Sequence, residues 1–244
     1  AEIITEQIDA DRVHLPVPPE LPGQVKACLA ERDAESSRLW LLVGKDPALI
    51  CRLFRAANSS FYAGLPKTLS IGDAVTRLGH DHAVRIVEET CFSCDHSTAG
   101  ELVSRYLPGL WQHAQGCALG ARWLARSCGY LTLAEQAYFG GLLHDIGKLL
   151  MWANFPKTYG FYFDRGIHPS HIRKMEQRHL SAPYCEIGAH FLDELNLPSF
   201  FTDAVRFQQR SMAEIANSLP LVRIVYAAEA MAHRDAKPDK MEAL

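Results

Sequence analysis

The chain's 244 residues are 48% hydrophobic and 22% charged, which is ordinary globular usage, and give enough length for one large domain or two packed subdomains around a sizeable core. A net charge of -3, a pI near 6.4 and the lack of any basic run argue against binding to nucleic-acid duplex. No apolar stretch approaches the ~20 residues of a membrane span. Residues Ala1 to Asp11 are mixed and acidic, unlike a secretion signal, so a cytoplasmic protein is expected. The start at Ala1 leads us to expect a processed or trimmed chain, and leaves open whether a segment stands upstream.

Taken in chain order, helical spacing dominates. The prolines of Leu15-Pro16-Val17-Pro18-Pro19 and Leu21-Pro22 set a stiff, extended lead-in, followed by a helix near Gln24 to Ala30. Asp46 is a good N-cap and Pro47 suits the first helical position. Leu49, Ile50, Leu53 and Phe54, with Ala56 and Ala57, then recur at helical spacing as far as Asn58. Asn58-Ser59-Ser60 breaks that pattern, and Gly64 and Pro66 mark a loop. Ser70 with Asp73 forms a capping-box pattern ahead of Ala74, Val75 and Leu78, and Gly79 stops the helix.

The stretch from Cys94 to Gly109 is poor in apolar periodicity and holds Gly100, Pro108 and Gly109, so a subdomain boundary is expected there. A long amphipathic helix is predicted from Trp111 to Ser127, stopping near Gly129. Thr132 with Glu135 is a second capping-box pattern, opening a helix through Leu149. Further helices are predicted over Glu186 to Glu194, Thr202 to Gln209 and Leu219 to Ala232. Strand-like alternation is nearly absent and no repeat is found, so the expected fold is all-α. Seven cysteines (Cys28, Cys51, Cys91, Cys94, Cys117, Cys128 and Cys185) lie scattered through apolar patterns, as reduced, buried thiols do.

The sharpest local feature is Gly140-Gly141-Leu142-Leu143-His144-Asp145-Ile146-Gly147-Lys148, which sets an imidazole beside a carboxylate inside an apolar helical pattern. A buried carboxylate is costly unless paired or bound to a metal, and a His-Asp step offers one nitrogen and one oxygen to a divalent ion. Gly140 and Gly141 would let another helix approach closely. Alone, the pair reads as a satisfied polar junction between helices rather than as a metal site. His113 lies one helix upstream, where an antiparallel hairpin would bring it to His144.

His113 followed by His144-Asp145 resembles the HD superfamily of metal phosphohydrolases, whose ligands run His, His-Asp, then a distant Asp. Asp46-Pro47-Ala48-Leu49, the block Leu53 to Tyr62 and the block Ser70 to Gly79 narrow this to a resemblance to the HDOD family, running from about Leu21 to Ala232. The resemblance implies two packed helical bundles, the C-terminal one HD-domain-like. Residues 1–20 would be an extended segment, 21–105 the N-terminal helical subdomain, 106–235 the HD-like subdomain and 236–244 a tail.

Departures from the family pattern bear on chemistry. Tyr184 stands ahead of Cys185-Glu186-Ile187-Gly188-Ala189 where a His is common, and Gln208-Gln209 where a His pair is often found. Glu229 occupies the helix on which the late Asp is expected. A two-metal clamp needs more ligands than these residues supply. His113, His144, Asp145 and Glu229 leave room for a single divalent ion (Mn, Fe, Mg or Ni), with Lys148 one turn below and Tyr184, Gln208 and Gln209 about the cleft.

Other polar groups read as structural. Cys91-Phe92-Ser93-Cys94, with His96 nearby, lacks the second half of a zinc site. In His80-Asp81 the carboxylate is expected as a helix cap. His82, His168, His171, His179, His190 and His233 show no partner at ligand spacing, and Ser59 and Ser60 have no base nearby. The resemblance implies a bacterial signal-transduction module acting through protein partners, without membrane or duplex contacts. The alternatives are a metal-dependent phosphohydrolase with a reduced ligand set, and a domain that senses a nucleotide without turnover.

Overall fold

The structure, a computed structural model, describes residues 2–9, 13, 15–30, 37–93, 100–164, 174–178 and 182–232. Among them the fold is all-α. In chain order the helices are α1 (Glu2–Asp9), α2 (Leu21–Ala30), α3 (Ser37–Val43), α4 (Pro47–Ala57), α5 (Ile71–Leu78), α6 (His80–Ser93) and α7 (Gly100–Ser127). They continue with α8 (Ala134–Leu143), α9 (Ile146–Asn154), α10 (Pro156–Asp164) and α11 (174–178). The last four are α12 (Tyr184–Glu194), α13 (Ser199–Arg206), α14 (Met212–Ile215) and α15 (Pro220–Ala232).

Local chemistry sets most helix starts. Asp46 caps α4 by accepting a 2.9 Å bond from Leu49 N, and Pro47 takes the first turn. Ser70 Oγ accepts from Asp73 N at the head of α5, and Gly79 ends that helix at φ 80°. Asp81 is not a cap: α6 begins at His80, and Asp81 sits in its first turn, where its charge suits the helix dipole.

Two expected helices also depart from their predicted bounds. The long helix does not begin at Trp111 but at Gly100, running straight through Pro108 and Gly109. Its buried residues explain this, because Leu107, Trp111, Ala114, Ala118, Ala121 and Ala125 keep helical spacing across the proline. Burial along that stripe outweighs the hydrogen bond that Pro108 cannot donate. The helix expected from Thr132 to Leu149 is divided in two: Leu131–Leu133 is a 3-10 turn, α8 starts at Ala134 without a side-chain cap, and a break at His144 and Asp145 separates α8 from α9. The Thr132–Glu135 capping box does not form there.

α7 and α8 are antiparallel neighbours, and α15 lies along both. α9 packs on α12, which also carries α13 and receives α1. One continuous apolar core runs from Ile4 and Ile8 of α1 through Leu49, Leu53 and Phe54 of α4 to Leu143, Ile146, Leu192 and Phe201. A smaller cluster (Cys117, Ala121, Ala137, Leu221 and Val225 among its members) fills the α7–α8–α15 junction. Among the described residues, no helix is long and apolar enough to cross a membrane.

Candidate functional site

Close backbone contact brings the polar residues together. A Cβ added at Gly141 would lie 2.8 Å from both Ala118 Cα and Cys117 O, so α8 rests directly on the backbone of α7. A Cβ added at Gly147 would lie 1.9 Å from Tyr184 O, so the first turn of α9 abuts the start of α12. No other residue fits at either contact. His144 and Asp145 sit between these two contacts, at the break.

Asp145 is the N-cap residue of α9, yet its carboxylate accepts no capping bond from that helix. Both it and His144 are buried. Oδ2 of Asp145 lies 3.4 Å from Nε2 of His144 and 3.6 Å from Nε2 of His113, and the two imidazole nitrogens are 3.2 Å apart. His113 reaches in from α7 and keeps partial exposure. His144 Nδ1 lies 2.7 Å from Gly141 O, a contact in which the nitrogen donates and Nε2 is left to face the cluster.

The rest of the cleft is committed to the protein itself. Lys148 donates a 2.7 Å bond to Asp145 Oδ2, and its ammonium lies 5.0 Å from the centre of the Tyr184 ring. Gln208 Nε2 donates to His144 O at 2.7 Å and to Val205 O at 3.0 Å, bracing the break. Tyr184 OH lies 3.5 Å from Gln208 Oε1, the limit of hydrogen-bond distance, and the Tyr184 side chain also bonds Gln209. Glu229 of α15 is half-buried and near enough for Lys148 to feel its charge, but it is not among the donors that converge.

Electrostatics follow from burial and these partners. Burial pushes the Asp145 carboxyl upward, but His144, Lys148 and His113 outweigh it and hold it well below the usual carboxylate range. Burial opposes charge on His144, yet Asp145 raises its affinity for a proton above the ordinary imidazole value. Lys148 is likewise held charged by Asp145 against burial, and Tyr184 is pushed up by burial, so it stays a neutral phenol.

The donor set fits one ion and not two. His113, His144 and Asp145 each offer a ligand atom within 4.8 Å of the others, and an ion seated about 2 Å from each would close that triangle. Asp145 Oδ1 is buried without a hydrogen-bond partner among the described residues, an uncommitted oxygen at the same place. Lys148 occupies Oδ2 and would have to yield part of it. Tyr184, Gln208 and Gln209 are engaged with one another and with backbone, and none is an imidazole.

Sequence reasoning missed two supporting groups. Cys117 bonds the His144 side chain from α7, and Glu176 of α11 is buried, accepting from Tyr159 OH and from Tyr184 N at 3.2 Å. Neither stood at a recognisable spacing. His190, expected to lack partners, lies 2.8 Å from Asp9 Oδ1. Cys94, His96, His168, His171, His179 and His233 fall outside the described residues.

Comparison with known proteins follows the same lines. The chain is 24% identical over 214 residues to an uncharacterized protein of Treponema pallidum, an alignment covering 85% of the chain and 40% of that protein. Its fold is similar to that of the MmoQ response regulator of Methylococcus capsulatus, with a TM-score of 0.79, 18% identity, and 94% and 92% of the two chains covered. It is also similar to a virulence factor of Campylobacter jejuni, with a TM-score of 0.69, 16% identity, and 94% and 80% covered. The HDOD domain model matches residues 15–211, most of the chain, and the protein belongs to the HDOD family.

Proposed function

We propose that this chain is a regulatory HDOD module that works through contacts with signalling proteins and does not turn over a substrate. The observation that carries this reading is the internal neutralisation of the cleft: Lys148 holds the Asp145 oxygen that faces both histidines. A two-metal hydrolase stabilises the attacking and the leaving oxygen together, and here the remaining polar side chains brace helices instead. The likeness in fold to a protein named as a response regulator supports the regulatory role by analogy. The test is an assay of cyclic dinucleotides, nucleotides and simple phosphoesters with manganese, iron, magnesium or nickel. Hydrolysis is expected at background. Metal-dependent turnover lost in His144→Ala and Asp145→Asn would replace this reading with a phosphohydrolase of reduced ligand set.

A second reading is favoured by the unpartnered Oδ1 of Asp145. In it His113, His144 and Asp145 hold one divalent ion, and the cleft senses a nucleotide without cleaving it. Such an ion would supply a fixed positive charge for a phosphate, while Lys148 and Tyr184 would line its approach. A nucleotide that raises the melting temperature only with metal present, without turnover, would favour it over the protein-contact module.

A further inference from the structure

A second group of metal-type donors stands away from the cleft, on the outer side of α12. His190 and Glu194 are four residues apart on that helix, so their side chains share one face. Asp9, the last residue of α1, completes the group: one ligand atom from each of the three residues lies within 4.8 Å of the other two. His190 Nε2 is 2.8 Å from Asp9 Oδ1, a contact that joins the two helices.

We propose that Asp9, His190 and Glu194 form a divalent-metal site that staples α1 to α12. Two observations go beyond an ordinary ion pair. Glu194 makes no hydrogen bond or ion pair among the described residues, so its carboxylate is uncommitted while lying beside a second carboxylate. One histidine cannot neutralise both acids, and a divalent ion can. The donors also come from two helices, so an ion would close a long loop of chain between Asp9 and His190. The imidazole nitrogen selects a borderline ion such as zinc or nickel over magnesium or calcium. All three side chains have solvent access, with Asp9 57% and His190 36% exposed, so water can complete the coordination shell.

Asp9 precedes the segment matched by the family model, which begins at residue 15. The site would therefore fasten a helix outside the matched segment to one inside it. α1 already buries Ile4 and Ile8 in the core, and the ion would add a polar lock at its C-terminal end.

The experiment titrates zinc into the chelator-treated 244-residue chain and counts bound ions by equilibrium dialysis and metal analysis at about 10 µM free zinc, a level suited to a partly open three-donor site. The wild type is expected to bind one more equivalent than Glu194→Gln and one more than His190→Ala. The comparison is between proteins, so zinc at the His144 cleft or on thiols cancels. Glu194 has no other partner to lose among the described residues, so Glu194→Gln keeps the metal-free fold and the test stands even if His190→Ala loosens α1. Hydrogen exchange of α1 amides gives a second readout: zinc should slow it about 10-fold in the wild type and leave Glu194→Gln unchanged. Equal zinc counts in wild type and Glu194→Gln would overturn the site and leave a plain Asp9–His190 ion pair.

Discussion

The ammonium of Lys148 lies 2.7 Å from Oδ2 of Asp145, the oxygen that also faces Nε2 of His113 and of His144. A lysine one turn into α9 thus competes with any metal for the carboxylate that the metal needs. Lys148→Met removes that competitor and leaves a buried carboxylate short of a partner. Without metal, stability should fall by about 3 kcal/mol. Manganese or nickel should restore most of it, a bound ion being worth about 2.7 kcal/mol when free metal reaches ~100 times its dissociation constant. The wild type should respond less, and Lys148→Met combined with Asp145→Asn not at all. Urea unfolding with and without metal checks this, and equal responses in wild type and Lys148→Met would show that the lysine does not compete.

Gly147 has no room for a side chain, since a Cβ would fall 1.9 Å from Tyr184 O, which is backbone and cannot turn away. Gly147→Ala must push α9 off α12 and carry Lys148 away from the Tyr184 ring. The expected cost is about 3 kcal/mol or more, at the upper end of overpacking effects. Gly23→Ala, where an added Cβ meets nothing within 4 Å, is the control and should change stability little.

Much of this arrangement was legible in the sequence. Asp46-Pro47 and Ser70 announced α4 and α5 because their capping chemistry is local, and the structure uses both side chains as caps. The convergence of His113 with His144 and Asp145 was expected from the HD resemblance, which sets them on facing sides of neighbouring helices, and α7 and α8 do pair. What failed depended on distant packing. Nothing local in Leu107-Pro108-Gly109 shows that a buried stripe will hold the helix through a proline. The break at His144 and Asp145 is likewise set from outside, by Gln208 clasping the His144 carbonyl from beyond the end of α13. The Asp9–His190 contact joins residues 181 positions apart, a separation that no motif spans.

Asp46 makes stability depend on pH at a place remote from the cleft. Burial pushes its carboxyl up from 3.8 to about 7, against the Leu49 and Ala48 backbone bonds that favour the anion, and Oδ2 has no hydrogen-bond partner among the described residues. Between those two values the folded protein holds a proton that the unfolded chain lacks. Stability is therefore full below the lower value, falls as pH rises through the window, and is flat again above the upper one. Asp46→Asn keeps an oxygen for the Leu49 cap and cannot ionise. Its stability relative to wild type should rise between about pH 4 and pH 7, by on the order of a few kcal/mol, and then level off. Melting temperatures of both proteins across that range check this, and parallel curves would contradict it.

Gln208 tests whether supplying an imidazole can make the cleft hydrolytic. Its amide donates to both His144 O and Val205 O, so the side chain works as a two-pronged brace on buried carbonyls. A histidine has at most one donor on each ring nitrogen, pointing in different directions, and cannot serve both carbonyls from one place. Gln208→His should leave one buried acceptor unsatisfied and cost about 1–3 kcal/mol. Lys148 would still hold Asp145, and Tyr184 would still cover Lys148, so the new imidazole would meet no free carboxylate to share an ion with. Phosphoester hydrolysis with manganese or nickel should therefore stay at background in Gln208→His, while urea unfolding shows the loss of stability. A gain of metal-dependent turnover in this single variant would mean that the cleft lacks only one ligand, and that its lysine and tyrosine are no barrier to catalysis.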